Sequence, residues 1–229
     1  MQIISNERLI KRNARVGQIA SIVGLGVLVV GMIISFTRPD LFIWSLLALL
    51  VGFALSQIGI YFGNRWGRRP RPDEVLDAAL KGLDGNFRLY HYSTPAAHLL
   101  TGPAGVWVLL TRMQRGKFVF EKGRWRQKGG GFLQAYMRIF AQEGVGRPDL
   151  EAPSEVEAVK KFLNEKLPDE ELPVNAILVF TNDSAEFEEN DEAFPPAVTA
   201  KKLKDFIRKE AKNKPISIPM SKTLQDALD

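Results

Sequence analysis

Two stretches without a single charged side chain, Val16 to Phe36 and Leu41 to Phe62, limit what this chain can fold into more than any other feature. They are 21 and 22 residues long. Each meets the roughly 20 apolar residues that a helix rising about 1.5 Å per residue needs to cross a hydrocarbon layer. Backbone groups inside lipid must be bonded internally, so helix is expected for both, and the short link Thr37-Arg38-Pro39-Asp40 turns them into a hairpin. A cleaved leader does not fit the first run, whose apolar core exceeds the usual length of about 7 to 15 residues and is followed at once by a second.

The flanks set an expected orientation. Arg8, Lys11, Arg12 and Arg15 precede the first run, and Arg65, Arg68, Arg69 and Arg71 follow the second, while the tip holds one Arg against one Asp. Basic flanks stay on the cytoplasmic side, which predicts a two-span membrane protein with both termini in the cytoplasm. Small residues recur along one face of each run: Gly17, Ser21, Gly24, Gly31 and Ser35, then Ser45, Ala48, Gly52, Ser56, Gly59 and Gly63. Such stripes let helices approach closely, either within the hairpin or between two copies of the chain. The only strongly polar residues in the runs, Gln18 and Gln57, lie near the cytoplasmic ends. Without a buried ionisable residue the hairpin reads as an anchor, not a transport path.

Charge divides the chain in the same place. Residues 1–71 hold nine Lys and Arg against Glu7 and Asp40, a net of +7, and the rest holds 22 against 24, a net of −2. The basic character therefore belongs to the membrane flank, where it suits anionic headgroups, and is no argument for a nucleic-acid-binding domain. The absence of cysteine removes disulfides, thiolate metal sites and a cysteine nucleophile, and two histidines, His91 and His98, are too few for a His-rich metal centre. The organisation expected is a basic N-terminus over 1–15, a hairpin over 16–63, a basic linker over 64–71 and a cytoplasmic domain over 72–229, long enough for its own core.

Within that domain the elements follow hydrophobic period and turn chemistry. Pro72 opens a helix that ends at Gly82; Phe87–Tyr92 alternates as a strand; His98–Thr101 and Val106–Arg112 are strands about Gly102-Pro-Ala-Gly105. Lys117–Glu121 and Arg124–Lys128 form a hairpin about Lys122-Gly123, and Gly129–Gly131 is a hinge. Helices are expected at Phe132–Glu143, at Ser154–Leu167 with Ser154 and Glu157 as a capping box, at Lys201–Ala211 and at Ser221–Leu228. Val174–Phe180 reads as a buried strand, Glu186–Glu192 as an acidic loop and Ala197-Val198 as an edge strand. The fold class this predicts is α/β, a mixed β-sheet flanked by helices, preceded by the transmembrane hairpin.

The block His98-Leu-Leu-Thr-Gly-Pro-Ala-Gly-Val-Trp-Val-Leu-Leu-Thr-Arg112, with Arg115-Gly-Lys117 and Trp125 after it, resembles the central block of the NERD (nuclease-related domain) family. Asp73-Glu74, Arg147-Pro-Asp-Leu-Glu151 and Val174–Thr181 extend the likeness over most of residues 72–210. The resemblance implies a restriction-endonuclease-like PD-(D/E)XK fold, in which an early Glu, an Asp and a carboxylate-x-Lys pair hold a divalent cation and activate water. Carried across residue by residue, the Asp falls on Ala97, the second carboxylate on Leu110, the Lys on Arg112 and a later Gln on Glu151, leaving Glu74 as the remnant ligand. Alanine and leucine have no lone pair, and a single carboxylate does not hold Mg²⁺ against water. Arginine keeps the charge but cannot serve as a base. The expectation is a degenerate active site with no catalytic residue, no metal and no cofactor. The alternatives are a membrane-bound nuclease using Mg²⁺ or Mn²⁺ through relocated carboxylates such as Glu121 or Glu151, and a pocket that binds a nucleotide or nucleic acid without cutting it, with Arg112 as the phosphate contact.

Seven basic residues lie between Arg112 and Lys128, interleaved with Phe118, Phe120 and Trp125. Three readings stay open for them: a solvated hairpin with its aromatics in the core, contact with an anionic lipid leaflet, or a nucleic-acid face. Binding candidates on this reading are His98, Arg112, Arg115, Lys117, Arg124, Trp125, Arg126 and Glu151. His98 and His91 are otherwise hydrogen-bonded strand residues. The partners expected are the bilayer and a protein of unspecified identity, with nucleic acid as a lesser candidate, and the function expected is a tethered binding or scaffold module.

Overall fold

A computed structural model describes residues 1–129, 144–168, 170, 172–188, 190, 192–213 and 215–228. The helix expected over Phe132–Glu143 and part of the glycine hinge lie outside the described residues. The described chain divides into two compact units: Met1–Asn6 joins the chain from Pro72 onward, and Glu7–Arg71 forms the other.

The helical unit consists of α1 (Glu7–Thr37), a 3-10 turn (Pro39–Leu41) and α2 (Phe42–Phe62). A π turn over Gly63–Gly67 closes α2, with Arg68 N donating to Gly63 O at 2.8 Å. Both helices are long and apolar enough to cross a membrane. Their most apolar windows are only 17% and 11% buried, whereas a core helix of a globular domain hides its apolar side chains. Ile22, Leu25, Phe36, Ile43 and Trp44 all stand well exposed. α1 begins nine residues earlier than the uncharged run, because Glu7–Arg15 contains good helix formers and no Gly or Pro.

The small-residue stripe lies between the two helices. A Cβ built on Gly59 would stand 2.9 Å from Ser21 N, one on Gly24 3.0 Å from Ser56 N, and one on Gly31 3.0 Å from Ala48 Cβ. Ser45 Oγ donates to Gly31 O at 3.0 Å, a bond between helices in an otherwise apolar contact. A Cβ on Gly17 would stand 3.0 Å from Gly63 N, which puts Gly63 in the contact by its backbone, whereas Ser35 is exposed and lies outside it.

The second unit is built on a mixed six-stranded sheet in the order β1-β2-β3-β4-β7-β9, with β1 (Gln2–Ser5), β2 (Arg88–His91), β3 (His98–Gly102), β4 (Gly105–Arg112), β7 (Val174–Phe180) and β9 (Ala197–Thr199). β1/β2, β4/β7 and β7/β9 are parallel, β2/β3 and β3/β4 antiparallel. A second sheet, ordered β6-β5-β8, contains β5 (Gly116–Glu121), β6 (Arg124–Lys128) and β8 (Ala185–Phe187). The helices are α3 (Pro72–Leu80), α4 (Pro148–Lys166), α5 (Ala200–Asn213) and α6 (Ile218–Leu228).

Central strands β4 and β7 are apolar on both faces, the mark of strands covered on both sides. Val106, Val108, Leu110, Leu178 and Phe180 face a core closed by Val159 and Leu163 of α4, Phe118 and Trp125 of the second sheet, and Leu224 of α6. Trp107, Leu109, Ile177 and Val179 face the opposite core, closed by Leu76 and Leu80 of α3 and Leu203 and Ile207 of α5.

The turns explain the register. Gly105 takes φ +92°, which permits the tight β3/β4 reversal. Lys122 and Gly123 take φ +53° and +72°, the two left-handed residues of a type I′ hairpin.

Three expectations need correction. Ser154 is not a helix cap: α4 starts at Pro148, whose fixed φ suits the first helical position, and it runs through Pro153 at the loss of one backbone bond. Glu186 and Phe187, the start of the expected acidic loop Glu186–Glu192, pair with β5 as part of β8. Gln2–Ser5, within the segment taken as a basic flank, is a strand at the edge of the main sheet.

Candidate functional site

Ala97, His98, Leu110 and Arg112 lie at one end of β3 and β4, the end away from the Gly102–Gly105 turn. The β3/β4 register pairs Leu99 with Val108, and two further steps bring Ala97 opposite Leu110. Leu110 is 2% exposed and belongs to the core with Val108, Phe118, Trp125 and Phe180. A carboxylate there would have to ionise within an apolar cluster, which is expensive without a cation or hydrogen-bond donors. Glu74 sits half-buried in the first turn of α3, beside the buried Asp73. Among the described residues no three His, Cys, Asp or Glu side chains are placed to share a cation. The donor set does not fit the divalent metal that the resemblance implies.

Arg112 and Glu151, which the sequence assigns to two separate motifs, are brought together. Arg112 ends β4, and its Nη2 donates to Glu151 on α4. Its Nε donates to Val145 O at 2.8 Å and its Nη1 to Thr111 O at 2.8 Å. The Arg112 backbone carbonyl accepts from Thr181 N at 2.8 Å, just past the end of the parallel strand β7. With the side chain 13% exposed and each guanidinium nitrogen bonded inside the protein, Arg112 clamps strand ends, the 145–147 loop and the first turns of α4. That use leaves little of its charge for a phosphate.

Next to the clamp, Arg147 Nη2 donates to Asp149 Oδ2 at 2.7 Å, which holds the Asp149 carboxyl below the usual carboxylate range and raises Arg147.

The basic hairpin turns its rings inward. Phe118 packs on Phe180 with centroids 4.5 Å apart, and Trp125 stands edge-on to Phe120 at 5.6 Å. Trp125 Nε1 donates to Pro195 O at 3.1 Å. Lys117 pairs with Glu188 at 2.9 Å, a contact that raises the lysine and lowers the glutamate, and Lys128 pairs with Glu121. Arg115 is exposed, and Arg124 and Arg126 are half-buried. Base stacking needs exposed rings beside cations, and here the indole and the phenyl rings of Phe118 and Trp125 are in the core.

Sequence reasoning missed one cluster. His91 and His98 are direct cross-strand partners, with their Nδ1 atoms 2.8 Å apart, and His91 Nε2 lies 3.0 Å from Asp77 Oδ1 on α3. A carboxylate only accepts, so His91 Nε2–H donates to Asp77, and the contact between the two Nδ1 atoms holds one proton shared by the pair of rings. Both rings are buried, and the ring of Tyr92 stands edge-on to His98 at 4.9 Å. The chain fastens α3 to the β2/β3 hairpin. Its signal was in the sequence: strands ending at His91 and starting at His98 about one loop put the two rings opposite each other.

An open groove of about 540 Å³ runs between α4 and β7. Trp107, Val156, Val174, Phe194 and Pro196 line it, with Glu157 and Lys160 among the polar residues there.

Comparison with protein-family models, with curated proteins and with solved structures finds no match for this chain. Fold and site together define a mixed α/β domain accompanied by two apolar helices of membrane-spanning length.

Proposed function

We propose that this chain is a membrane-anchored cytoplasmic module of the NERD-like, restriction-endonuclease-like type that has lost nuclease chemistry and acts by binding or scaffolding. The observation that carries the reading is the state of the degenerate positions: Leu110 belongs to the core and Arg112 is engaged by Glu151 and two carbonyls. A water-activating centre needs convergent carboxylates and an open coordination position, and neither Ala97 nor Leu110 supplies a ligand. The apolar groove beside α4, with few convergent polar groups, suits binding more than catalysis.

The anchor reading rests on exposure and topology. Both apolar helices display their side chains instead of burying them. The strand before α1 hydrogen-bonds to β2, in the sheet formed by the chain after α2. A hairpin that crosses a bilayer twice must therefore return to the side it left, which agrees with the basic flanks at both ends.

The test uses the full chain in detergent micelles, titrated into labelled single- and double-stranded DNA and RNA with Mg²⁺ or Mn²⁺ present and read by fluorescence anisotropy and gel. Probes that stay intact at all metal concentrations are the expected result. Metal-dependent cleavage that disappears in Glu74→Ala overturns the proposal in favour of a nuclease with relocated ligands.

A further inference from the structure

The first turns of α1 and its lipid-length apolar run form one continuous outward face. At about 100° per residue, Arg8, Lys11, Arg12 and Arg15 fall within an arc of about 100°. The buried residues of α1, Ile10, Gly17, Ala20, Gly24 and Gly31, are centred about 170° away on the same wheel. The cations thus point away from α2, and all four are exposed. Directly below them on the same face lie Ile19, Ile22, Val30 and Ile33, between 52% and 63% exposed.

Spacing along the axis gives this face a chemistry. Arg15 is one residue and Arg12 four residues before Val16, where the uncharged run begins. At about 1.5 Å per residue both guanidinium stems start within about 6 Å of the hydrocarbon edge, the depth of a headgroup layer. Lys11 starts about 1.5 Å and Arg8 about one turn above Arg12, within reach for long side chains that extend towards an anion. Lys11 has Glu7 at 4.0 Å, so the segment Glu7–Arg15 keeps a net charge of +3. The other end of the hairpin differs: Arg38 is engaged by Asp40 at 3.3 Å.

We propose that this face is a binding surface for anionic phospholipid, with the phosphate held by Arg12 and Arg15 and supported by Arg8 and Lys11, and an acyl chain lying along Ile19, Ile22, Val30 and Ile33. The surface exists only if the helices span a bilayer, so it rests on the anchor reading above. It adds lipid selectivity confined to the leaflet on the basic side, which an anchor held by apolar contact alone does not have.

The test reconstitutes the full chain in phosphatidylcholine bilayers with trace spin-labelled phosphatidylglycerol or phosphatidylcholine and measures the motionally restricted fraction of each by electron paramagnetic resonance. The expected result is a preference of about fivefold for phosphatidylglycerol at low salt, shrinking as ionic strength rises. Arg8→Gln/Lys11→Gln/Arg12→Gln/Arg15→Gln lowers the ratio at least about twofold, the basic residues after α2 keeping it above one, while Arg38→Gln leaves it unchanged. Equal restricted fractions for the two lipids in the unaltered chain overturn the phosphate surface and leave the anchor standing. No restricted fraction for either lipid, together with release of the chain from vesicles by alkaline carbonate, overturns the anchor and this surface together.

Discussion

Replacing Arg112 by Met keeps most of the apolar stem and removes the guanidinium, and the structure sets what that change costs. Val145 O and Thr111 O each lose a bond of 2.8 Å, and Glu151 loses its cation. A hydrogen bond from a charged donor is worth about 1.5 to 3 kcal/mol, and the half-buried Thr111 can recover part of its loss from water, so the two carbonyls together account for about 2 kcal/mol. Glu151 is 40% exposed and recovers much of its hydration, which limits the ion pair to about 1 kcal/mol. The expected destabilisation is about 3 kcal/mol, or a fall in melting temperature of about 6 to 12 °C for a domain of this size. Glu151→Gln retains an acceptor for Arg112 and should cost about 1 kcal/mol, with the double variant showing a coupling of similar size. Arg112→Lys, which restores the residue type the family resemblance expects, should cost about 2 kcal/mol because an ammonium cannot reach all three acceptors. The assay is thermal unfolding of the full chain in detergent, followed by tryptophan fluorescence. An Arg112→Met variant that melts within about 1 °C of the unaltered chain refutes the clamp and returns Arg112 to the list of ligand contacts.

Other perturbations follow from the same geometry. The Asp149 carboxyl is lowered by its bond to Arg147, so its contribution to stability is full above the unfolded carboxylate value of about 4 and is lost as pH falls through the lower folded value. Asp149→Asn should therefore lower the neutral plateau of melting temperature against pH and flatten its acid limb, the two chains converging at low pH. His91→Phe leaves the buried His98 Nδ1 without its partner and removes the donor to the part-exposed Asp77, and should cost about 2 kcal/mol in the same unfolding assay; a change under about 0.5 kcal/mol contradicts the bonds described. In the hairpin, Gly59→Val sets a Cβ 2.9 Å from Ser21 N and should lower resistance to unfolding in a detergent titration by about 1 to 3 kcal/mol. Gly26→Ala meets nothing within 4 Å and is expected to have no effect, so equal behaviour of the two variants would sink the packing account.

Legibility in the sequence tracked how local the cause was. Val174–Phe180 forms a strand with the expected limits because an unbroken apolar run of that length is a buried strand whatever pairs with it. The Gly102–Gly105 and Lys122-Gly123 reversals were legible because positive φ has few residue types to choose from. β1 was not: four residues show no period, and their parallel partner β2 lies far along the chain, beyond the whole hairpin. β8 escaped for the same reason, being three residues paired in parallel with β5. Ser154 misled because a capping signal can occur inside a helix when Pro148 and the acidic first turn have already started it. At the candidate site, the apolar character of Ala97 and Leu110 could be read directly, whereas the bonds from Arg112 to Glu151 and from His91 to Asp77 depend on helix placement that no spacing rule contains.

The account depends most on one domain whose chain leaves through α1 and returns through α2 to the same side of a bilayer. The absence of native cysteine makes this directly measurable. Single cysteines introduced as Gln2→Cys, Asp40→Cys and Lys201→Cys, all at exposed positions, can each be tested with a membrane-impermeant maleimide on intact cells and again after permeabilisation. The account predicts that Asp40→Cys labels from outside, and that Gln2→Cys and Lys201→Cys label only once the membrane is opened. Labelling of Gln2→Cys and Lys201→Cys from opposite sides, or of Asp40→Cys from the same side as both, contradicts it.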